Sequence, residues 1–373
     1  MPLNLRLTKP SHFSATTPSS IPLNPAPRPR RVPRLVSVLF ILSIAVLARA
    51  QNYTSIVIFG DSLSDTGNVA DLTQAKYGVR VPSPIGGDYT DGRFTDGTDT
   101  VPAAHNFFGV WVEQLAAMLP AKPVIKASLD GGTNYAYGFA TTGSGTGLFT
   151  FGPSDSLFVN VNNIGQQITD YLATHPKIND KTLFVVWGGA IDLLNATSTS
   201  DVVNAAINQT LNVQRLIDAG ATQFIVPNLP PLGAVPRLNR SPITSIPATK
   251  ASILFNVTLA TGLTVLRDFN PQRRLRLDQL DVFRLFNQII ASPSSFALAN
   301  ITDSSQGIPF INPDTFLFWD DLHPTTRGHN ILAVTADKLI APQNCLANAA
   351  TGVSGWIGTD CGLAPAFGGA GQR

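Results

Sequence analysis

Ser55-Ile-Val-Ile-Phe-Gly-Asp-Ser-Leu-Ser-Asp-Thr-Gly-Asn68 joins a short apolar run to a polar, glycine-marked turn. The β-branched and aromatic residues 56–59, bounded by Gly60, predict a buried strand. Asp61 and Ser62 then sit where a strand hands over to a helix. Ser62 is expected near that helix's N-terminus, where unpaired backbone N–H groups and the positive dipole end favour a developing anion. The position suits a serine nucleophile, and it suits a plain N-cap serine equally well. The residues that separate the two readings lie far downstream, in Asp320-Asp-Leu-His323.

Beyond residue 50 the chain has four histidines, His105, His175, His323 and His329. His323 stands apart because Asp320 precedes it by three positions, close enough on one turn for the carboxylate to hold the Nδ1 proton and leave Nε2 as a general base. Asp321 is the rival orienter, but at that spacing its side chain faces away, so Asp320 is preferred. Ser62, Asp320 and His323 thus form a candidate acyl-transfer triad.

Such a triad needs a fold that brings residues 62 and 323 together. Continuous apolar runs at 56–59, 182–187 and 223–227, with a further strand at 275–282, read as strands covered on both faces. Helical spacing is found at 107–119, 161–172, 202–219, 249–269, 283–290 and 325–340, and residues 134–143 read as a short strand entering a loop. Strands alternating with helices imply an α/β fold with a parallel sheet, whose carboxyl-end loops meet in one crevice.

Hydrophobic residues make up 44% of the 373-residue chain and charged residues only 13%, well below the roughly 25% of ordinary soluble domains. Residues 1–50 combine a proline-spaced basic segment, an uncharged apolar run at 35–48 and the small-x-small pattern Ala48-Arg49-Ala50. Together these predict a signal peptide with a long basic front, and hence a secreted protein. The apolar run is shorter than the ~20 residues of a spanning helix, so no membrane attachment is expected in the mature form. The leader holds seven basic residues and no acidic ones, which leaves 19 basic against 24 acidic side chains and a net charge near −5. Nucleic-acid binding is excluded on that balance, because no basic face remains for phosphates. Six sequons, at Asn52, Asn195, Asn208, Asn239, Asn256 and Asn300, are expected glycosylation sites and would offset the sparse surface charge. Cys345 and Cys361, the only cysteines, are expected to form one disulfide stapling the C-terminal segment. The expected organisation is a leader at 1–50, a catalytic domain at 51–344 and a stapled segment with a loose tail at 345–373. A monomer is expected, with no metal or organic cofactor.

The opening block, Phe-Gly-Asp-Ser-Leu-Ser-Asp-Thr-Gly-Asn68, resembles the first block of the GDSL family of SGNH hydrolases. Gly92-Arg-Phe-Thr-Asp-Gly97, Asn134-Tyr-Ala-Tyr-Gly138, residues 187–194, Asn228-Leu-Pro-Pro-Leu-Gly233 and Trp319-Asp-Asp-Leu-His-Pro-Thr325 resemble its later landmarks, in order. The chain is most similar to secreted fungal members grouped with the sixteenth carbohydrate-esterase family, which remove acetyl groups from plant-wall sugars. The resemblance implies a three-layer α/β/α sandwich with a five-stranded parallel sheet, flavodoxin-like in its winding. It implies Ser62 as nucleophile and first oxyanion donor, and the Gly138 backbone N–H as second. The family's third donor is an asparagine in Gly-x-Asn-Asp, but this chain reads Gly189-Ala-Ile-Asp192, and Ile191 has no side-chain donor. Asn195, four positions on, is the one nearby substitute. The expected function is a secreted serine esterase acting on short acyl, chiefly acetyl, esters of carbohydrate or on other small esters. The alternatives are a lipase, which would require an apolar acyl channel, and a relative silenced by Ile191 that only binds glycans.

Overall fold

The structure, a computed structural model, describes residues 53–83, 88–97 and 107–340. The leader, Asn52, His105, Cys345, Cys361 and the C-terminal segment lie outside the described residues. In chain order the elements are β1 (Ser55–Gly60), α1 (Asn68–Tyr77), α2 (Trp111–Met118), β2 (Thr146–Phe151), β3 (Leu157–Asn162), α3 (Ile164–Thr174), β4 (Thr182–Trp187), α4 (Ala190–Asn195) and α5 (Thr199–Asp218). There follow β5 (Gln223–Ile225), α6 (Pro236–Asn239), α7 (Pro242–Phe269), β6 (Arg276–Asp278), α8 (Val282–Ala291), β7 (Asn300–Ser304), β8 (Phe316–Phe318) and α9 (Thr326–Ile340).

Four strands pair in parallel in the order β1-β4-β5-β6, with Ser55 opposite Thr182 and Gly60 opposite Trp187. On the free edge of β1, residues 133–137 run parallel to it. Ile58 N donates to Thr133 O at 3.0 Å, Tyr135 N to Ile58 O at 2.8 Å and Tyr137 N to Gly60 O at 3.2 Å. The fifth position of the expected sheet is thus held by a bridged segment rather than a full strand. From β1 the chain goes first to one side, at 133–137, and then to the other, at β4. The carboxyl end of β1 is therefore the point where the winding reverses, the place where doubly wound sheets open a crevice.

Alternate side chains of the strands enter opposite layers, as the pleat requires. Ile56, Ile58, Leu183, Val185 and Trp187 pack with Trp111 and Leu115 of α2, Phe286 of α8 and Ile331 of α9. Val57, Phe59, Phe184 and Val186 pack on the other face with Ile168 of α3, Val213 of α5 and Phe255 of α7. Two buried faces explain why the strand sequences are continuously apolar.

Several boundaries differ from the sequence expectation. Residues 161–162 end β3, and the helix expected from 161 begins at Ile164. The long helix begins at Pro242 rather than 249, with Ser241 Oγ accepting from Ile243 N at 3.2 Å. The last strand of the main sheet spans three residues, 276–278. The β2/β3 hairpin, antiparallel and packed on α1, and the parallel pair β7/β8 had no clear signal in the sequence.

Candidate active site

Three ties hold the segment after β1. Gln167 of α3 grips both backbone groups of Gly60, accepting from its N–H and donating to its carbonyl, each at 2.9 Å. A Cβ on Gly60 would lie 2.7 Å from the Trp187 carbonyl oxygen, so the strands pass too closely there for a larger residue. Asn134 Nδ2 donates to Ser64 O at 2.6 Å, and Trp111 Nε1 donates to Ser64 Oγ at 3.0 Å. Ser62 is fixed on this loop and is 5% exposed.

The loop does not pass directly into a helix. α1 begins at Asn68, six positions after Ser62, and its N-terminal amides are already engaged. Asp65 accepts from the N–H groups of Gly67 and Asn68, both at 2.8 Å, and of Val69 at 3.3 Å. The helix end expected to favour charge at Ser62 is instead occupied by the Asp65 carboxylate.

Ser62, Asp320 and His323 come together across 261 positions of chain. His323 Nε2 lies 2.9 Å from Ser62 Oγ, and His323 Nδ1 lies 2.7 Å from Asp320 Oδ2. Asp320 Oδ1 accepts from the backbone N–H groups of Leu322 at 2.8 Å and His323 at 2.6 Å, which bends the loop so that the ring turns inward. Burial alone would raise the Asp320 carboxyl, but the His323 charge and these hydrogen bonds outweigh it and hold it at about 2. Asp321, the rival orienter, is exposed and pairs with Arg237 at 2.9 Å.

Two neighbours of the triad went unread in the sequence. Tyr89 donates its hydroxyl to Asp320 Oδ2 at 2.9 Å, and burial, with Asp320 beside it, pushes that phenol far up. The Phe94 ring lies 5.1 Å from the His323 ring, tilted by 35°. Asp96, two residues on, receives Thr326 N at 2.5 Å and Thr326 Oγ1 at 2.9 Å, capping α9 just after His323. The Gly92–Gly97 landmark thus holds the histidine loop from outside.

The expected oxyanion donors fare differently. Gly138 N–H donates to Asp65 Oδ2 at 2.9 Å, so the role expected of it is not open to it in this geometry. A Cβ on Gly138 would meet the Phe94 ring at 2.5 Å, which makes Gly138 the seat of the ring that covers His323. The next amide, Phe139, has no acceptor among the described residues, and its backbone is left-handed (φ 71°). Ile191 is buried in the first turn of α4. Asn195 is exposed at the end of that helix and does not replace the missing asparagine. Asp192 instead ties α4 to the loop after Gly138, accepting from Thr142 N at 3.0 Å and Thr142 Oγ1 at 2.8 Å.

Two concavities meet at His323. One is a cavity of about 60 Å³. Its walls include Asp61, Ser62 and His323, and every other lining side chain is apolar, Ile191 among them. The other is a broader groove of about 570 Å³, lined by Tyr89, Phe94, Phe149, Arg237, Gln306 and Asp321 beside Asp320 and His323.

His329 is fully buried, its Nδ1 accepting from Trp111 N at 3.2 Å, and burial pulls it down to about 3. It is a neutral core residue. His175 stacks on Tyr171 with ring centroids 4.4 Å apart. Among the described residues no three metal-ligating side chains come together. Three sequon asparagines are held by their own side chains. Asn256 Nδ2 donates to Leu229 O at 2.8 Å, Asn239 Nδ2 to Thr302 O at 2.7 Å and Asn300 Nδ2 to Asp303 Oδ2 at 3.0 Å. A glycan on any of them would displace that bond. Asn195 is exposed and Asn208 half-buried.

The profile of the family described as GDSL-like Lipase/Acylhydrolase matches residues 56–334. A phosphatidylcholine-sterol acyltransferase of Aeromonas hydrophila is 24% identical over 343 residues, covering 78% of this chain and 91% of that protein. A GDSL esterase/lipase of Arabidopsis thaliana is 25% identical over 338 residues, covering 75% of this chain and 78% of the relative. Among solved structures, a lipolytic protein of the G-D-S-L family from Veillonella parvula aligns with a TM-score of 0.36 and 12% identity, over 76% of this chain and 95% of its own.

Proposed function

The chain belongs to the GDSL-like lipase/acylhydrolase family and is a carboxylic ester hydrolase, and from that premise we propose that it works through an acyl-enzyme formed on Ser62. The observation that carries the reading is the unbroken line Ser62–His323–Asp320, with contacts of 2.9 and 2.7 Å. Ser62 Oγ attacks the ester carbonyl as His323 Nε2 takes its proton, and Asp320 holds the Nδ1 proton and steadies the imidazolium. Collapse of the tetrahedral intermediate expels the alcohol, which takes the proton back from His323. Water then repeats the sequence on the acyl-enzyme.

The oxyanion is received by backbone amides. Ser62 N–H has no acceptor among the described residues, and with Gly138 engaged the second donor passes to Phe139. An oxyanion hole lacking one donor is typically slower by ~10²–10³ in turnover, so Ile191 lowers the rate without abolishing the chemistry. The alcohol leaves through the groove beside Asp320, where the Tyr89, Phe94 and Phe149 rings and the polar groups of Arg237 and Gln306 suit a sugar or another polyol. The basic-apolar leader supports export, and carbohydrate esters outside the cell remain the proposed substrates on the alcohol side.

Hydrolysis of p-nitrophenyl butyrate by the purified protein tests the reading. Ser62→Ala and His323→Ala should each lower kcat by at least ~10³. Turnover by Ser62→Ala at the wild-type rate would refute it.

A further inference from the structure

Behind the groove lies a further hollow, of about 370 Å³, that the mechanism leaves unused. The two share one wall. Ser304 and Gln306 line the groove while Ser305 and Gly307 line the hollow, and Tyr89 and Asp88 divide in the same way. The strap from residue 305 is fixed to β8, with Ser305 N donating to Phe318 O at 3.1 Å and Gln306 N to Trp319 O at 2.8 Å. Further along it Phe310, a lining residue of the hollow, is 100% exposed, its ring offered whole to solvent. Phe310 and Asp88 are both non-glycine residues in left-handed backbone, at φ 59° and 56°. Strain of that kind is kept at ligand clamps, and a phenyl ring left in water forgoes its burial free energy. The surroundings say what would cover it. The exposed Asp88 carboxylate has no hydrogen bond or ion pair among the described residues. Trp319, which also lines the hollow, is 1% exposed, and its Nε1 has no acceptor there. An aromatic face beside open acceptors and donors suits a pyranose ring, apolar on its C–H face and hydroxylated at its rim. A free carboxylate accepts from hydroxyls and repels an acidic sugar or an anionic lipid head.

We propose that this hollow is a sugar subsite, so that the alcohol half of the substrate is an oligosaccharide of neutral pyranose units rather than a single sugar. The inference rests on the carbohydrate reading proposed above and extends it. The acylated unit lies in the groove beside Asp320. The chain crosses the strap at residues 305–307, and a following unit stacks on Phe310 while Asp88 accepts from its hydroxyls.

The test is acetate release from partially O-acetylated xylose, xylobiose and xylotriose by wild type, Ser62→Ala, Phe310→Ala and Phe310→Trp. In the wild type kcat/KM should rise at least about tenfold from xylose to xylotriose, as partial burial of one aromatic ring allows. The xylotriose-to-xylose ratio should fall about tenfold in Phe310→Ala and hold in Phe310→Trp, which keeps an aromatic face. Should the Phe310 variants not fold, Asp88→Ala should lower the same ratio by about tenfold, as loss of a charged acceptor does. A ratio near one in the wild type, or one that no folded variant moves, overturns the inference. Sedimentation with phosphatidylcholine vesicles that Phe310→Ala abolishes would overturn it in favour of a lipid surface. Should no sugar ester be turned over faster than by Ser62→Ala, it is the proposed function that fails. Calorimetric titration with unmodified xylotriose then decides the subsite alone. Binding that Phe310→Ala weakens about tenfold upholds it; no binding, or binding that Phe310→Ala leaves as tight, overturns it.

Discussion

Asp320 Oδ2 serves two donors, the His323 ring and the Tyr89 hydroxyl. The Tyr89 bond partly neutralises the carboxylate that His323 senses. Tyr89→Phe should lower kcat about tenfold, the equivalent of roughly 1.4 kcal/mol for a hydrogen bond to a charged group, with KM little changed. Because the carboxylate is then more negative towards the imidazole, the acid limb of the pH profile of kcat/KM should also move to higher pH. A merely structural role for Tyr89 would lower stability and leave that limb in place. At this scale the sequence was legible wherever partners are close in sequence or chemically restricted. Asp320 and His323 are three apart, and Asp321 is withdrawn by Arg237. It was illegible where a partner comes from a distant segment. Nothing local shows that Gly138 N–H is taken by Asp65, 73 positions away, or that Tyr89 reaches Asp320.

The α9 helix starts directly behind the histidine loop and has its cap supplied from another segment. Asp96 receives Thr326 N and Thr326 Oγ1, so Asp96→Ala should cost about 1–2 kcal/mol of stability, as loss of an N-terminal cap does. Calorimetry should show this as a fall in Tm of roughly 2–4 °C per kcal/mol. The elements legible in the sequence were those with strong periodicity or full burial. β1 and β4 were read as strands from their apolar runs, and α5 from its amphipathic stripe. The β2/β3 hairpin was lost because Gly147 and Gly152 interrupt its pattern and its strands alternate only partly in burial. The start of α7 was lost because Pro247, inside the helix, reads as a helix stop.

At the scale of the whole molecule, stability should carry the mark of the buried acid beside Ser62. Asp61 is 2% exposed, and burial, opposed by the Leu63 N–H and the His323 charge, pushes its carboxyl from 3.8 up to about 7. Between those values the folded chain holds a proton that the unfolded chain has released, so stability falls as pH rises from about 4 to about 7 and is level above. The loss is on the order of 4 kcal/mol at 1.36 kcal/mol per pH unit. Asp61→Asn keeps an oxygen for the Leu63 N–H and removes the charge. Its Tm should therefore exceed that of wild type by more at pH 8 than at pH 5, and an equal gap at both would refute the assignment. The depressed Asp320 carboxyl acts in the opposite sense, giving stability above pH 3.8 that is lost as pH falls through about 2. The α/β layering was legible as a whole because two-sided burial writes itself into every central strand. The cavity was not, since its walls are ordinary core residues that meet only after α4, α8 and α9 have packed. That cavity and the groove are separate chambers sharing one histidine. On the acyl-enzyme route proposed above, the departing half of an ester and the water that follows it share the groove beside Asp320, so each turnover must empty that side before it can be refilled.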